Sequence, residues 1–254
     1  MRRDRKSYPS DVTDGQWETI KPHFCGMRNR KWDKRELVNA VLYYEKTGCQ
    51  WRLLPHDFPP FATVWSFYRR AKQTGLWERI LCDMVEKTRV KAGRDAAPTY
   101  GIVDSQSAKT TSAAEERGID GGKKVKGRKR HIVTDIMGNL LAVVVHAANI
   151  HDTKAGIHPA RQALQRYPTI QKFCADAGYR KTFETQVAEE LGLGVDISAR
   201  IKPEWEVLPK RWVVERTLAW LNGFCRLSKD YEVSTSSEEA NVMISHFALL
   251  LRRL

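Results

Sequence analysis

Past Pro98 the spacing of apolar residues changes, and no other feature restricts the fold as much. Upstream they recur every three or four positions, which is helical; downstream they gather into short runs and alternations bounded by turn residues. In order, the second part predicts a strand at Tyr100–Asp104 and a polar loop over Ser105–Gly122. Strands follow at His131–Asp135 and Leu140–His146, joined by a turn at Met137-Gly138-Asn139. Asp152 is placed to cap a helix running to about Arg166. A strand at Lys172–Asp176, a helix from about Thr182 to Leu191 and a strand at Gly194–Ser198 come next. Pro203 and Pro209 bracket a connection to a long helix from Arg211 to about Leu227, and Ser236-Ser237-Glu238-Glu239 caps a last one.

Three antiparallel strands followed by strands reached through helical crossovers is the element order of the ribonuclease-H-like fold. Before the change the chain predicts only helices. Thr13-Asp14-Gly15-Gln16 and Asp33-Lys34-Arg35-Glu36 have capping-box spacing. Phe61–Thr74 carries an apolar stripe beside Arg69, Arg70 and Lys72, and Leu76–Val90 continues as another amphipathic helix. The expectation is an α+β protein of two domains. Residues 1–95 would form an all-helical, helix-turn-helix-like DNA-binding domain, and residues 96–254 a catalytic domain with a mixed five-stranded sheet and flanking helices. Gly93–Pro98 reads as the linker.

Composition narrows the partners. The net charge is +13, and both halves are basic, which suits a polyanion lying across both. The five cysteines are scattered without a Cys-x-x-Cys pair, which argues for reduced thiols in the cytoplasm and against a zinc ribbon. No apolar run approaches membrane-spanning length, so a membrane partner is not expected.

In the topology read above, the strands ending at Asp104 and Asp176 are adjacent and parallel, so the two carboxylates share one rim. They repel unless a cation lies between them. The helix beginning Arg211-Trp212-Val213-Val214-Glu215 should bring a third acid. Oxygen-only ligation suits Mg²⁺ or Mn²⁺. Two such ions about 4 Å apart suit in-line displacement at a phosphodiester. Asp135 reads instead as a turn residue, Asp152 as a cap and Asp196 as a strand residue; His146, His151 and Asp152 have no ligand spacing. The basic run Lys123, Lys124, Lys126, Arg128, Lys129 and Arg130 is expected to touch the phosphate backbone of double-stranded DNA, positioning it without reading sequence.

Asp104-Ser105-Gln106-Ser107-x-Lys109-Thr110-Thr111, Gly122–His131 and Arg211-Trp212-Val213-Val214-Glu215-Arg216-Thr217 together resemble the DDE transposases of bacterial insertion sequences, in particular the insertion-sequence-five group. Trp51-Arg52-Leu53-Leu54-Pro55 is similar too, so the resemblance covers essentially the whole chain. It implies that Asp104, Asp176 and Glu215 are the catalytic, metal-binding triad. It also implies that the protein binds terminal inverted repeats, cuts at the element ends and joins the 3′-hydroxyls to target DNA. Pairing two ends implies at least a dimer in the active complex, associated with the nucleoid when bound. A nuclease of the same fold, or a catalytically dead DNA-binding derivative, would share much of this pattern.

Two departures stand out. The related insertion-sequence-four pattern, Tyr-x-x-Arg-x-x-x-Glu-x-x-x-x-x-x-Lys, has Leu208 for its Tyr and Asn222 for its Lys, and Ala177 follows the second Asp. On a helix extended to Leu227, Arg226 and Lys229 return to within about 40° of Glu215. The expectation is a stripe of Arg211, Glu215, Arg226 and Lys229 facing DNA, with Arg226 replacing the missing Lys and Val214, Leu218 and Leu221 packing inward.

Overall fold

A computed structural model describes residues 5–27, 31–198 and 211–254. Helices α1 (Asp14–Ile20), α2 (Lys34–Thr47), α3 (Phe61–Gln73) and α4 (Leu76–Lys91) come first. Thr13 and Gln16 close a reciprocal capping box on α1, and Asp33 caps α2. Gly48, in the left-handed region at φ 67°, ends α2; a Cβ there would also meet the Cys225 carbonyl carbon at 3.0 Å.

Strands β1 (Tyr100–Lys109), β2 (Gly118–Asp120), β3 (Val125–Thr134) and β4 (Leu140–Ala147) follow. Then come α5 (Asp152–Ala155), α6 (Ile157–Arg166), β5 (Lys172–Asp176), α7 (Thr182–Leu191), β6 (Gly194–Ser198), α8 (Arg211–Leu221) and α9 (Thr235–Leu251). The strands form one mixed sheet ordered β4-β3-β1-β5-β6, with β2 extending the β4 side of β3. β1, β3 and β4 are antiparallel neighbours, whereas β1, β5 and β6 run parallel. This arrangement agrees with the ribonuclease-H-like expectation for the second part.

Several boundaries differ from the sequence reading. β1 does not stop at Asp104: pairing with β3 carries it on to Lys109, and β2–β3 pairing makes a hairpin where a polar loop was expected. The sheet therefore has six strands, not five. β3 begins six residues before His131, because the alternating basic side chains find acidic partners on both faces. α8 ends at Leu221, and Phe224 and Leu227 turn into the core beyond it. The predicted helix from Asp152 breaks at Gly156, whose added Cβ would lie 3.0 Å from Phe183 and 3.1 Å from Tyr179. Pro203, Leu208 and Pro209 lie outside the described residues.

The core runs without a gap from the first helices into the sheet. α9 is what joins them, packing against α2, α4 and β4. Trp77 of α4 stacks on Phe247 of α9 at 6.0 Å between centroids, and Tyr68 of α3 donates to Asn241 Oδ1 at 2.7 Å.

Candidate active site and basic surfaces

Main-chain pairing of β1 with β5 ends at Ile102 opposite Cys174. Asp104 and Asp176 each stand two residues further on, so they are level with one another and, by strand alternation, on the same face. Both are half-buried. Asp176 caps the turn Ala177–Tyr179, accepting from the Gly178 N–H at 2.8 Å; a Cβ at Gly178 would lie 2.9 Å from that same oxygen. Asp104 Oδ1 accepts from the Ser105 N–H at 2.7 Å.

α8 packs across β1, β3 and β5 on this face. Val214, Leu218 and Leu221 point inward as expected. Thr217 Oγ1 donates to Gly138 O at 2.8 Å and Arg216 to Met137 O at 2.9 Å, which seats one flank of α8 on the β3–β4 turn. At about 100° per residue, Glu215 lies some 160° around the helix from Thr217. Glu215 therefore projects from the opposite flank, toward β5, and is exposed. Asn222, just past the helix, accepts from Gln106 Nε2 at 3.4 Å.

Among the described residues no three His, Cys, Asp or Glu side chains are close enough to hold one ion. The structure thus brings Asp104 and Asp176 together and sets Glu215 on the nearer flank of α8 without closing a three-carboxylate cluster. The donor chemistry still suits a hard divalent cation: the acids present oxygen ligands, and the pair is level at an accessible rim.

Behind the pair, on the other face of the sheet, lies a polar layer that the sequence reading did not identify. Asp152 is not the cap of α5; His151 is. Asp152 accepts from Lys129 Nζ at 2.8 Å and Ser105 Oγ at 3.0 Å. Burial would raise the Asp152 carboxyl, but the Lys129 hydrogen bond and charge outweigh it and hold it below the usual range. Tyr179 Oη lies 2.7 Å from His131 Nε2, and His131 Nδ1 lies 3.3 Å from His146 Nε2. Burial, with His146 beside it, pushes His131 down to about 3, so its ring is neutral. His146 is buried in the same layer.

The basic run divides in two. Lys123, Lys124 and Lys126 are exposed on the β2–β3 hairpin, with Lys124 at its tip at φ 53°. Asp120 anchors that hairpin, accepting the Gly122 and Lys123 N–H groups at 3.0 Å each and Ser107 Oγ at 2.6 Å. Arg128, Lys129 and Arg130, expected on DNA, are instead buried and paired within the fold. Arg128 meets Asp230 at 3.0 Å, Lys129 meets Asp152, and Arg130 meets Glu238 at 2.5 Å. Lost hydration of each charge is replaced largely by a carboxylate and carbonyls, and burial keeps these heads from a phosphate.

Arg226 is a second correction. Because α8 ends first, Arg226 turns inward, pairs with Glu232 and lies 4.4 Å from the Tyr44 ring centroid. Lys229 is half-buried beyond it, 5.9 Å from the Tyr231 ring. The stripe of Glu215 with Arg226 and Lys229 is absent, and the Arg211 side chain lies outside the described residues. On α3, Arg69 and Arg70 are exposed, whereas Lys72 is half-buried and donates to Ser236 and Ser237 at 3.1 and 3.0 Å. Asp135 plays its predicted turn role, accepting from the Met137 and Asn139 N–H groups, and pairs with Arg89 at 2.6 Å.

Two family models match the chain. Residues 12–81 match "Putative transposase of IS4/5 family", and residues 95–251 match "Transposase DDE domain". Among curated proteins, "Putative transposase for insertion sequence element IS402" of Burkholderia cepacia is 36% identical over 117 residues. That alignment covers 42% of this chain and 54% of the relative, so the match spans about half the relative's length. Among the described residues no helix is long and apolar enough to cross a membrane.

Proposed function

The chain belongs to the DDE transposase family of insertion sequences, and we propose that it binds the ends of its element, cleaves there and transfers the 3′-hydroxyl ends to target DNA. The observation carrying this reading is the level placement of Asp104 and Asp176 past the end of the β1–β5 ladder, beneath the Glu215 flank of α8. These three carboxylates would hold Mg²⁺ or Mn²⁺, two ions per site. Bound there, such ions supply activation of the attacking oxygen and charge compensation on the leaving one. Arg69 and Arg70 on α3, with Lys123, Lys124 and Lys126 on the hairpin, engage the backbone of double-stranded DNA.

In this reading residues 1–95 contribute end recognition and 96–254 the chemistry, although both parts share one core. Two or more copies assemble on paired ends, in the cytoplasm and on the nucleoid. The test uses the full chain, DNA carrying the element's ends, and Mg²⁺. Asp104→Asn, Asp176→Asn and Glu215→Gln should each abolish cleavage and spare end binding, and Ca²⁺ should support binding without cutting. Near-normal cleavage by Asp176→Asn would sink the assignment. Cleavage without any joined product would favour a nuclease that lacks strand transfer.

A further inference from the structure

The two rim carboxylates stand where the backbone no longer ties their strands together. β1–β5 pairing stops at Ile102 and Cys174, while β1 stays paired to β3 through Asp104 opposite Ile132. β5 stays paired to β6 through Asp176 opposite Ser198. Asp104 and Asp176 therefore stand beyond the last main-chain pairing between the two halves of the sheet. Something other than main-chain hydrogen bonds must set their separation.

We propose that the Tyr179–His131 hydrogen bond is a cross-brace over this open end, and that both act as positioning residues for divalent-cation binding at Asp104 and Asp176. The proposal rests on reading that pair as the metal site. Tyr179 closes the turn that Asp176 caps, three residues on. His131 stands opposite Ser105, the neighbour of Asp104. The 2.7 Å contact between them thus spans from the Asp176 side to the Asp104 side.

Its direction is fixed by chemistry. Ala147 O, 3.0 Å from His146 Nδ1, can only accept, so that nitrogen carries its hydrogen. His146 Nε2 then accepts from His131 Nδ1–H, and His131 Nε2 is left to accept from the Tyr179 hydroxyl. One set of tautomers satisfies every ring nitrogen. The rings are closely packed: Tyr179 meets His131 and Phe183 edge-on at 5.5 and 5.4 Å, and a Cβ at Gly156 would press on Phe183 at 3.0 Å and Tyr179 at 3.1 Å. Groups hydrogen-bonded directly to metal ligands typically change metal affinity by about 10–100-fold when removed, and this brace, one contact further out, is expected at the lower end of that range.

Mn²⁺ binding to the full-length protein without DNA, followed by the electron paramagnetic resonance of free Mn²⁺, tests the brace alongside metal-free melting. Tyr179→Phe and His131→Leu should each weaken Mn²⁺ binding about tenfold, and the double variant no more than either alone. His131→Gln, whose side-chain oxygen can accept in place of Nε2, should restore binding to within about threefold of wild type and guards against a variant that fails to fold. Unchanged affinity in Tyr179→Phe, additive losses in the double variant, or no rescue by Gln over Leu would overturn the brace, even if melting temperatures fall. Wild-type binding that survives Asp176→Asn, or no wild-type binding at all, would overturn the metal-site reading and the brace with it.

Discussion

Replacing Arg226 by Ala should lower stability without altering how DNA binding depends on salt. Arg226 Nε donates to Glu232 Oε1 at 3.0 Å, and its guanidinium lies over Tyr44 and 5.3 Å from the Tyr231 centroid. Removing one member of a buried pair costs about 3–5 kcal/mol when the other charge is left alone. Glu232 would not be left alone: Tyr44 Oη still donates to it at 2.9 Å and Asn241 Nδ2 at 3.0 Å. The ionic loss is therefore set at about 2 kcal/mol, and the lost aromatic contact adds about 1 kcal/mol. For a chain of this size 1 kcal/mol moves the melting temperature by about 2–4 °C, so calorimetry should read a fall of roughly 6–12 °C. A lysine or arginine on a phosphate would behave oppositely, with melting preserved and the slope of log K against log salt reduced by about one. A melting temperature within about 1 °C of wild type together with that smaller slope would refute the buried-pair account.

Other outcomes follow from the same contacts. Ala at Lys123, Lys124 and Lys126 together should leave melting nearly unchanged and lower the salt slope of DNA binding by up to about three. Arg130→Ala should instead destabilise, because it removes the partner of buried Glu238, whose carboxyl is pushed up to about 8 by burial against the pull of Arg130, and protein that melts like wild type would contradict the pairing. Glu45 is fully buried, and burial raises its carboxyl well above the usual range, Glu232 and Glu238 adding to this and Arg226 opposing it. The folded chain therefore keeps this proton while the unfolded chain loses it above about pH 4.3, and stability from Glu45 falls as pH rises through that window. Glu45→Gln should remove this slope, gaining on wild type at pH 8 but not at pH 4, as urea titrations at the two pH values would show. Gly138→Ala should unseat α8, since φ there is 85° and a Cβ would lie 2.6 Å from Thr217 Oγ1; cleavage should fall more than end binding.

Periodicity made the order of elements legible, and with it the adjacency of Asp104 and Asp176. Val214, Leu218 and Leu221 were also legible as the inner face of α8, because helical spacing alone decides that. What local pattern could not show was partnership between distant segments. Arg128, Lys129 and Arg130 look like a solvated basic run until Asp230, Asp152 and Glu238 arrive from 23 to 108 residues downstream. Arg226 was misread for another reason. Asn222-Gly223 is a local stop for α8 that the helical spacing of Arg226 overrode, and the turn there is held by Lys46 of α2, which donates to Gly223 O at 2.6 Å, and by the close approach of Gly48. The Tyr179–His131 contact joins residues 48 apart, and neither carries a spacing signal for it.

The position of α9 sets an order on how the protein comes into being. Its buried side includes Glu238, Asn241, Ser245 and His246, which meet Arg130, Tyr68, Glu45 and the Leu140 N–H in turn. During synthesis α2, α3 and α4 leave the ribosome well over a hundred residues before α9 does, and until then their inner faces lack the surface that completes them. The first helices therefore finish packing only after Asp104, Asp176 and Glu215 have been made. A nascent chain stalled before Thr235 should be cut readily by protease within α2 and α4, and one stalled with α9 outside the exit tunnel should resist. Equal resistance in both would show that the first helices settle without α9.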